Sequence, residues 1–181
     1  MNRLCKIALS GVAVIMIAGC ETTPPAAQAT TDGAVDVRQA MIDGVNPAAL
    51  AIWDVGNNDI GEQGQPDVSK LDVPALARLR EAAQTLGTYA QLMAEAPVLK
   101  ASGPDLVGGR LPEGIASREQ IQAAIDADPA GFRAYSKAMG AEADGILAAI
   151  QAGDGASVAS RVASFDGACQ SCHERYWYVN Q

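Results

Sequence analysis

The sequence predicts an all-α protein, and three observations carry that reading. Apolar residues recur at three- and four-residue spacing through four long stretches, the period of a helix with one buried face. The apolar share is 49% but aromatics supply only 4%, so alanine, the strongest helix former, carries much of it. No run of alternating β-branched and aromatic residues competes as a strand. The length of 181 residues is that of one domain of ordinary size, and no internal repeat is visible.

The first helical stretch covers about Val35–Val55, with Val37, Met41, Val45, Ala48 and Ile52 on one side. Pro47 lacks an amide hydrogen and crowds the preceding turn, so a kink or a restart is expected near Asn46. Gly56-Asn57-Asn58 ends the stretch, and Gly61–Ser69 reads as a polar loop. The second stretch opens at Asp72, an N-cap, with Pro74 in the first turn, and runs to Glu95 before Pro97. Ala101–Glu113 is rich in glycine and proline and reads as a connection. Ser117 and Gln120 have the spacing of a capping box for a short helix over Ser117–Ala127. Asp128-Pro129 then punctuates the chain. The third long stretch carries Phe132, Tyr135, Met139, Ala143, Ile146 and Ile150. Gly153-Asp154-Gly155 is a turn of the length expected between antiparallel neighbours. The fourth stretch, Ala156–Tyr176, has Val158, Val162, Phe165, Cys169, Cys172 and Tyr176 on one side.

The N-terminus reads as an export leader and not as fold. Arg3 and Lys6 precede an apolar run over Ile7–Ala18, too short for an ordinary transmembrane helix of roughly 20 residues. The run ends in Ile17-Ala18-Gly19-Cys20, small residues directly before a cysteine, which resembles the lipobox of bacterial lipoproteins. That resemblance implies cleavage of residues 1–19 and lipid attachment at Cys20. Residues 20–34 then form a Thr/Pro/Ala/Gln-rich tether, and residues 35–181 the folded domain. Several acyl chains would hold such a protein firmly at a membrane, since a single chain anchors only marginally. Glu21 follows Cys20 where a retention signal for the inner membrane would have aspartate, so the outer membrane is weakly favoured and the choice stays open.

Charge and cysteine counts narrow the function classes. The formal net charge of −8 becomes −10 once Arg3 and Lys6 leave with the leader, which carries no acidic residue. Such a chain is a poor partner for nucleic acid. Of four cysteines, Cys5 leaves with the leader and Cys20 is acylated. Cys169 and Cys172 remain, beside the single histidine, His173. There is no nucleophile–base pair, phosphate loop or carboxylate dyad, so no enzymatic activity is expected.

Cys169-Gln170-Ser171-Cys172-His173 is C-x-x-C-H, the attachment pattern for a c-type haem. Two thiols three residues apart on a helix share one face and reach the two vinyl groups along one haem edge. The next residue's imidazole can then bind the iron axially. The alternatives fit poorly. A thioredoxin-like pair belongs in a βαβ context at a helix N-terminus. A structural zinc needs four ligands, and only three thiol or imidazole groups exist. A disulfide across so short a loop gains little.

A C-x-x-C-H near the C-terminus of an Ala-rich, four-helix chain resembles the class II c-type cytochromes, the cytochrome c prime family. The resemblance is sharpest over Asp154–Tyr176 and implies an antiparallel four-helix bundle with one covalent haem attached to the last helix. Tyr176 corresponds to an aromatic that packs on the haem or the bundle core. Three departures stand out. Trp177 occupies a position, four after the histidine, where the family often has a basic residue. Asn46-Pro47 interrupts the first helix, and 101–113 with the helix at Ser117–Ala127 is additional. By the same resemblance, the residue facing the distal side of the haem comes from the first helix, apolar in high-spin members and methionine in low-spin ones.

That distal residue decides the function. No second histidine exists, so the remaining good side-chain ligand is a thioether, from Met41, Met93 or Met139. Met41 is the expected ligand, although counting four from Arg38 lands on Ile42, and the two differ by about 100° around a helix. Trp53 is expected in the core or at the bundle end, with haem-edge packing second. Trp177 and Tyr178 are expected to cover the exposed end of the pocket. Asp126 and Asp128 are expected to be solvated or capping, and Arg38 to lie at the surface, with a haem propionate as the second choice. The functional expectation is a tethered periplasmic electron carrier with His173 and Met41 on the iron and a redox partner bearing a basic patch. A homodimer stays possible. The alternative is a five-coordinate haem protein that binds nitric oxide or carbon monoxide.

Overall fold

The computed structural model describes residues 33–58, 71–103 and 113–178. The leader at 1–19, Cys20, nearly all of the tether, the loop at 61–69 and most of the 101–113 connection lie outside the described residues.

The chain enters through a short strand, β1 (Ala34–Asp36), then α1 (Val37–Ala40), a π-helical turn (Met41–Val45) and α2 (Asn46–Asn58). There follow α3 (Val73–Glu95), the strand β2 (Val98–Lys100), α4 (Arg118–Ala127), α5 (Pro129–Ala152) and α6 (Gly155–Tyr176). The α1–α2 unit, α3, α5 and α6 make the four-helix bundle. Its most extensive seams are α3 on α5, α5 on α6, and α2 on α3, while α2 and α6 meet over a shorter stretch. Ile52, Leu79, Leu86, Met93, Phe132, Ile146 and Phe165 are buried along these seams. Each such side chain is worth roughly 1.5–3 kcal/mol of burial.

Helix ends follow their caps. Asp72 Oδ1 accepts from the Ala75 amide at 2.8 Å, with Pro74 in the first turn. Ser117 and Gln120 form a reciprocal capping box for α4. Asp128 and Asp154 cap α5 and α6 through the amides of Gly131 and Ser157. Gly153 closes α5 at φ 66°, a left-handed conformation that a β-carbon disfavours.

One feature differs from the sequence reading, and a second gives an expected irregularity its form. The first is a parallel strand pair, β1 on β2, with Ala34 opposite Val98 and Asp36 opposite Lys100. Three residues are too few to show a period of two, and the partners are distant in sequence. Val35 therefore belongs to a strand, and the helix starts at Val37. Asp36 makes that start: its Oδ1 accepts from the amides of Arg38 and Gln39, both at 3.0 Å. Asp36 with Gln39 three residues on is itself an N-terminal signature that marks this boundary. The second is Pro47. The disturbance expected near Asn46 takes the form of a π turn, with α2 starting at Asn46 itself, whose amide donates to the Met41 carbonyl five residues back. The wider turn gives the following proline ring room against the preceding carbonyls.

Candidate functional site

At one end of the bundle α1–α2, α3, α5 and α6 surround an apolar pocket. The seam between α2 and α6 is closed on one side of it, where Trp53 and Phe165 pack with centroids 5.9 Å apart. Gly56 lies against Val162 there, so closely that a β-carbon would meet Val162 Cγ1 at 3.0 Å. Further along the seam lies an apolar cavity of about 40 Å³.

The last turns of α6 present Cys169, Cys172 and His173 to this pocket. Cys169 and Cys172 are one helical turn apart, both half-buried and both free thiols. Burial pushes the two thiols up to about 12, with the neighbouring Cys172 and Asp166 adding to the effect at Cys169. Burial also lowers the pKa of His173, which favours the neutral imidazole that a metal requires. Gln170 and Ser171, between the cysteines, are exposed; they bond along their own helix, Gln170 to Glu174 and Ser171 to the Gly167 carbonyl.

Met41 lines the same pocket and is 8% exposed; Ile42, half-buried, is not among the lining residues. The register of the first helix thus favours Met41. The π turn explains how one helix contributes Met41, Asn46, Ala49 and Trp53 to one wall. In uninterrupted α geometry, at about 100° per residue, Trp53 would lie about 120° around the helix from Met41. A π turn absorbs about one residue and reduces that to about 20°. Trp53, expected in the core or at the bundle end, therefore lies in the pocket wall as well as on Phe165.

The opposite walls come from α3 and α5. Met93 and Met139 both line the pocket, beside Phe132, Tyr135 and Ser136. The Ser136 hydroxyl donates to the Phe132 carbonyl at 3.1 Å, so this buried polar group is satisfied within its own helix. Phe132, Tyr135 and Met139 are three and seven residues apart, a spacing visible in the sequence but legible there only as a core stripe.

Tyr176 sits one ring behind the pocket. It is 2% exposed and meets Phe132 and Tyr135 edge-on, at 5.2 and 6.0 Å. Its hydroxyl donates to the Asp128 carbonyl at 3.0 Å. It is the bundle-core role that the geometry gives it, in support of two pocket rings. Asp128 caps as expected, and Asp126 accepts from Gln122 on the surface.

The C-terminal aromatics close over the histidine. The amides of Trp177 and Tyr178 both donate to the His173 carbonyl at 2.8 Å, and their rings lie 6.0 and 5.8 Å from the imidazole. Ala116 donates to the Trp177 carbonyl at 2.9 Å, tying this collar to the segment before α4. Arg38 corrects the expectation of a surface side chain: it is 1% exposed, with Cζ 5.9 Å over the Trp177 ring. Its burial was hidden in the sequence because the segments that cover it are distant along the chain.

A helical bundle that turns two thiols and a neutral imidazole into one apolar pocket has the donor set of a covalent haem protein. Residues 75–177, more than half of the chain, match the family described as cytochrome C'. The chain belongs to the cytochrome c' family. Its cofactor is accordingly a covalently attached haem c, typically one per chain in this family. No curated protein and no solved structure gives a significant match. The match begins in α3, so the helix carrying Met41 lies outside it. Family members are typically periplasmic, and no described helix is long and apolar enough to cross a membrane.

Proposed function

We propose that this protein is a one-electron carrier, tethered at a membrane through a lipid on Cys20 and facing the periplasm. In this reading Cys169 and Cys172 become thioethers to the haem, and His173 and Met41 ligate its iron. The observation that carries it is the meeting of Met41 with Cys169, Cys172 and His173 in one buried, apolar pocket. The bound haem supplies the redox chemistry. The chain's own groups do the rest. The two sulfurs fix the haem to α6, and the neutral imidazole of His173 offers its lone pair. The Met41 thioether keeps the same ligand set in both oxidation states and raises the potential. The apolar walls exclude water, so little solvent must reorganise when the charge changes. The acidic chain, at −10 once Arg3 and Lys6 leave with the leader, suits a donor or acceptor protein with a basic docking patch.

A near-infrared methionine–iron charge-transfer band in the oxidised protein is the expected result. A high-spin spectrum without that band contradicts it. The apolar lining from Val45, Ala49 and Phe132 favours a second reading, nitric oxide or carbon monoxide binding at five-coordinate iron. The same spectrum separates the two. The tether is tested by Cys20→Ser, which should move the protein from the membrane to the soluble fraction.

A further inference from the structure

Arg38 is among the most deeply buried side chains in the described residues, yet it does not line the pocket. Burying a guanidinium is costly unless something engages it. Its Cζ lies 5.9 Å from the centroid of the Trp177 ring, within range of a cation–π contact, and the indole is itself only 8% exposed. The loop at 101–103 closes over the arginine stem. A β-carbon at Gly103 would come within 2.9 Å of Arg38 Cβ, so the stem has no room to swing that way. Trp177 in turn is held by its amide to the His173 carbonyl, by its carbonyl to the Ala116 amide, and by ring contact with the imidazole at 6.0 Å. A continuous line of contact thus runs from α1 through the indole to His173. Glu119 of α4, held low by its own backbone amide and by Ser117, also feels the charges of Arg118 and Arg38.

We propose that Arg38 is a positioning residue for His173: the guanidinium grips the face of Trp177, and the indole fixes the rotation of the imidazole about its own bonds. A buried cation behind the imidazole also favours the less positive of two oxidation states at the iron. The inference rests on His173 being the haem ligand. It assigns a function to an arginine on the first helix, outside the C-x-x-C-H motif and outside the matched family stretch.

The test uses the haem-loaded protein and its Arg38→Met, Arg38→Lys and Trp177→Leu variants. Two quantities are read: the hyperfine-shifted proton resonances of the His173 ring, and the midpoint potential in an equilibrium titration. In that titration dithionite gives one electron to each ferric centre, and no bond is made or broken. Arg38→Met and Trp177→Leu should both shift the His173 ring resonances, and the double variant should shift them no further than either alone. Arg38→Met should lower the midpoint potential, and Arg38→Lys, which keeps the charge, should restore most of it. Wild-type ring resonances and potential in both Arg38→Met and Trp177→Leu, with haem attached, overturn the proposal. If Arg38→Met does not fold, Trp177→Leu alone decides through the ring resonances. Absence of shifted His173 resonances in the wild type overturns the ligand assignment, and this inference with it. Their presence there, unchanged in the variants, overturns this inference alone.

Discussion

The bare α-carbon of Gly44 lies under the ring of Tyr89, so closely that a β-carbon would fall inside the space held by the ring's Cδ2, Cε2 and Cζ. Tyr89 is 2% exposed in the core of α3 and has little room to retreat. Gly44 belongs to the π turn that puts Met41 and Trp53 on one wall. The close approach therefore fixes how the first helix sits on α3, and with it the aim of Met41. Gly44→Ala should cost about 1–3 kcal/mol through overpacking. Thermal melts should show the loss, and the near-infrared methionine band should weaken in the same variant. An unchanged melt and band would mean that the helix yields freely there.

Met41→Ala should remove the sixth ligand and leave a high-spin iron. Because Met41 is buried against the core, truncation should also cost about 2–5 kcal/mol. Met93→Leu and Met139→Leu, which keep volume, should leave the spectrum alone. A wild-type spectrum in Met41→Ala, with its loss in one of the other two, would transfer the ligand to that methionine.

Cys172→Ala and Cys169→Ala should each leave a single thioether. Denaturing gels stained for haem should still show attached cofactor at reduced yield, and the double variant should show none. Full haem yield in the double variant would exclude these two sulfurs as the attachment points.

Asp36 gives a pH dependence with a defined sign. Burial raises its pKa, but hydrogen bonds from the Ser102 hydroxyl and from the backbone amides of Gln39, Ser102 and Gly103 outweigh it and hold the carboxyl below the usual 3.8. The folded state thus prefers the carboxylate. That stabilisation is complete above the unfolded pKa and disappears as the pH falls through the lower, folded one. Asp36→Ala should cost about 1 kcal/mol at neutral pH, the scale of a helix N-cap. The gap between variant and wild type should close in acid, as the pH falls through the lowered folded-state pKa. A gap that persists undiminished there would place the effect in packing and not in charge.

The parts of the molecule written locally were legible in the sequence. Asp72 with Pro74, and the Ser117–Gln120 box, mark helix starts that the structure repeats to the residue. The C-x-x-C-H motif gave the chemistry of α6 because thiols and imidazole carry their reactivity wherever they sit. What was not legible depends on distant contacts. Pro47 by itself argues for a kink or a restart near Asn46, but the form it takes, a π turn with Gly44 packed under Tyr89, depends on α3. Arg38 by itself argues for solvent, and the loop at 101–103 and Trp177 enclose it. The β1–β2 pair joins segments more than sixty residues apart, each too short to signal a strand. The distal residue belonged to both kinds. Met41 was the expected residue although counting from Arg38 lands on Ile42, and in the packed helix it is Met41 that lines the pocket.

Carbon monoxide added to the reduced protein tests the central claim most directly, because Met41 and the gas would compete for the same position on the iron. With Met41 as ligand, the reduced spectrum should stay unchanged at carbon monoxide concentrations that fully convert the Met41→Ala variant. Immediate conversion of the wild type to the carbon monoxide spectrum would contradict the electron-carrier reading.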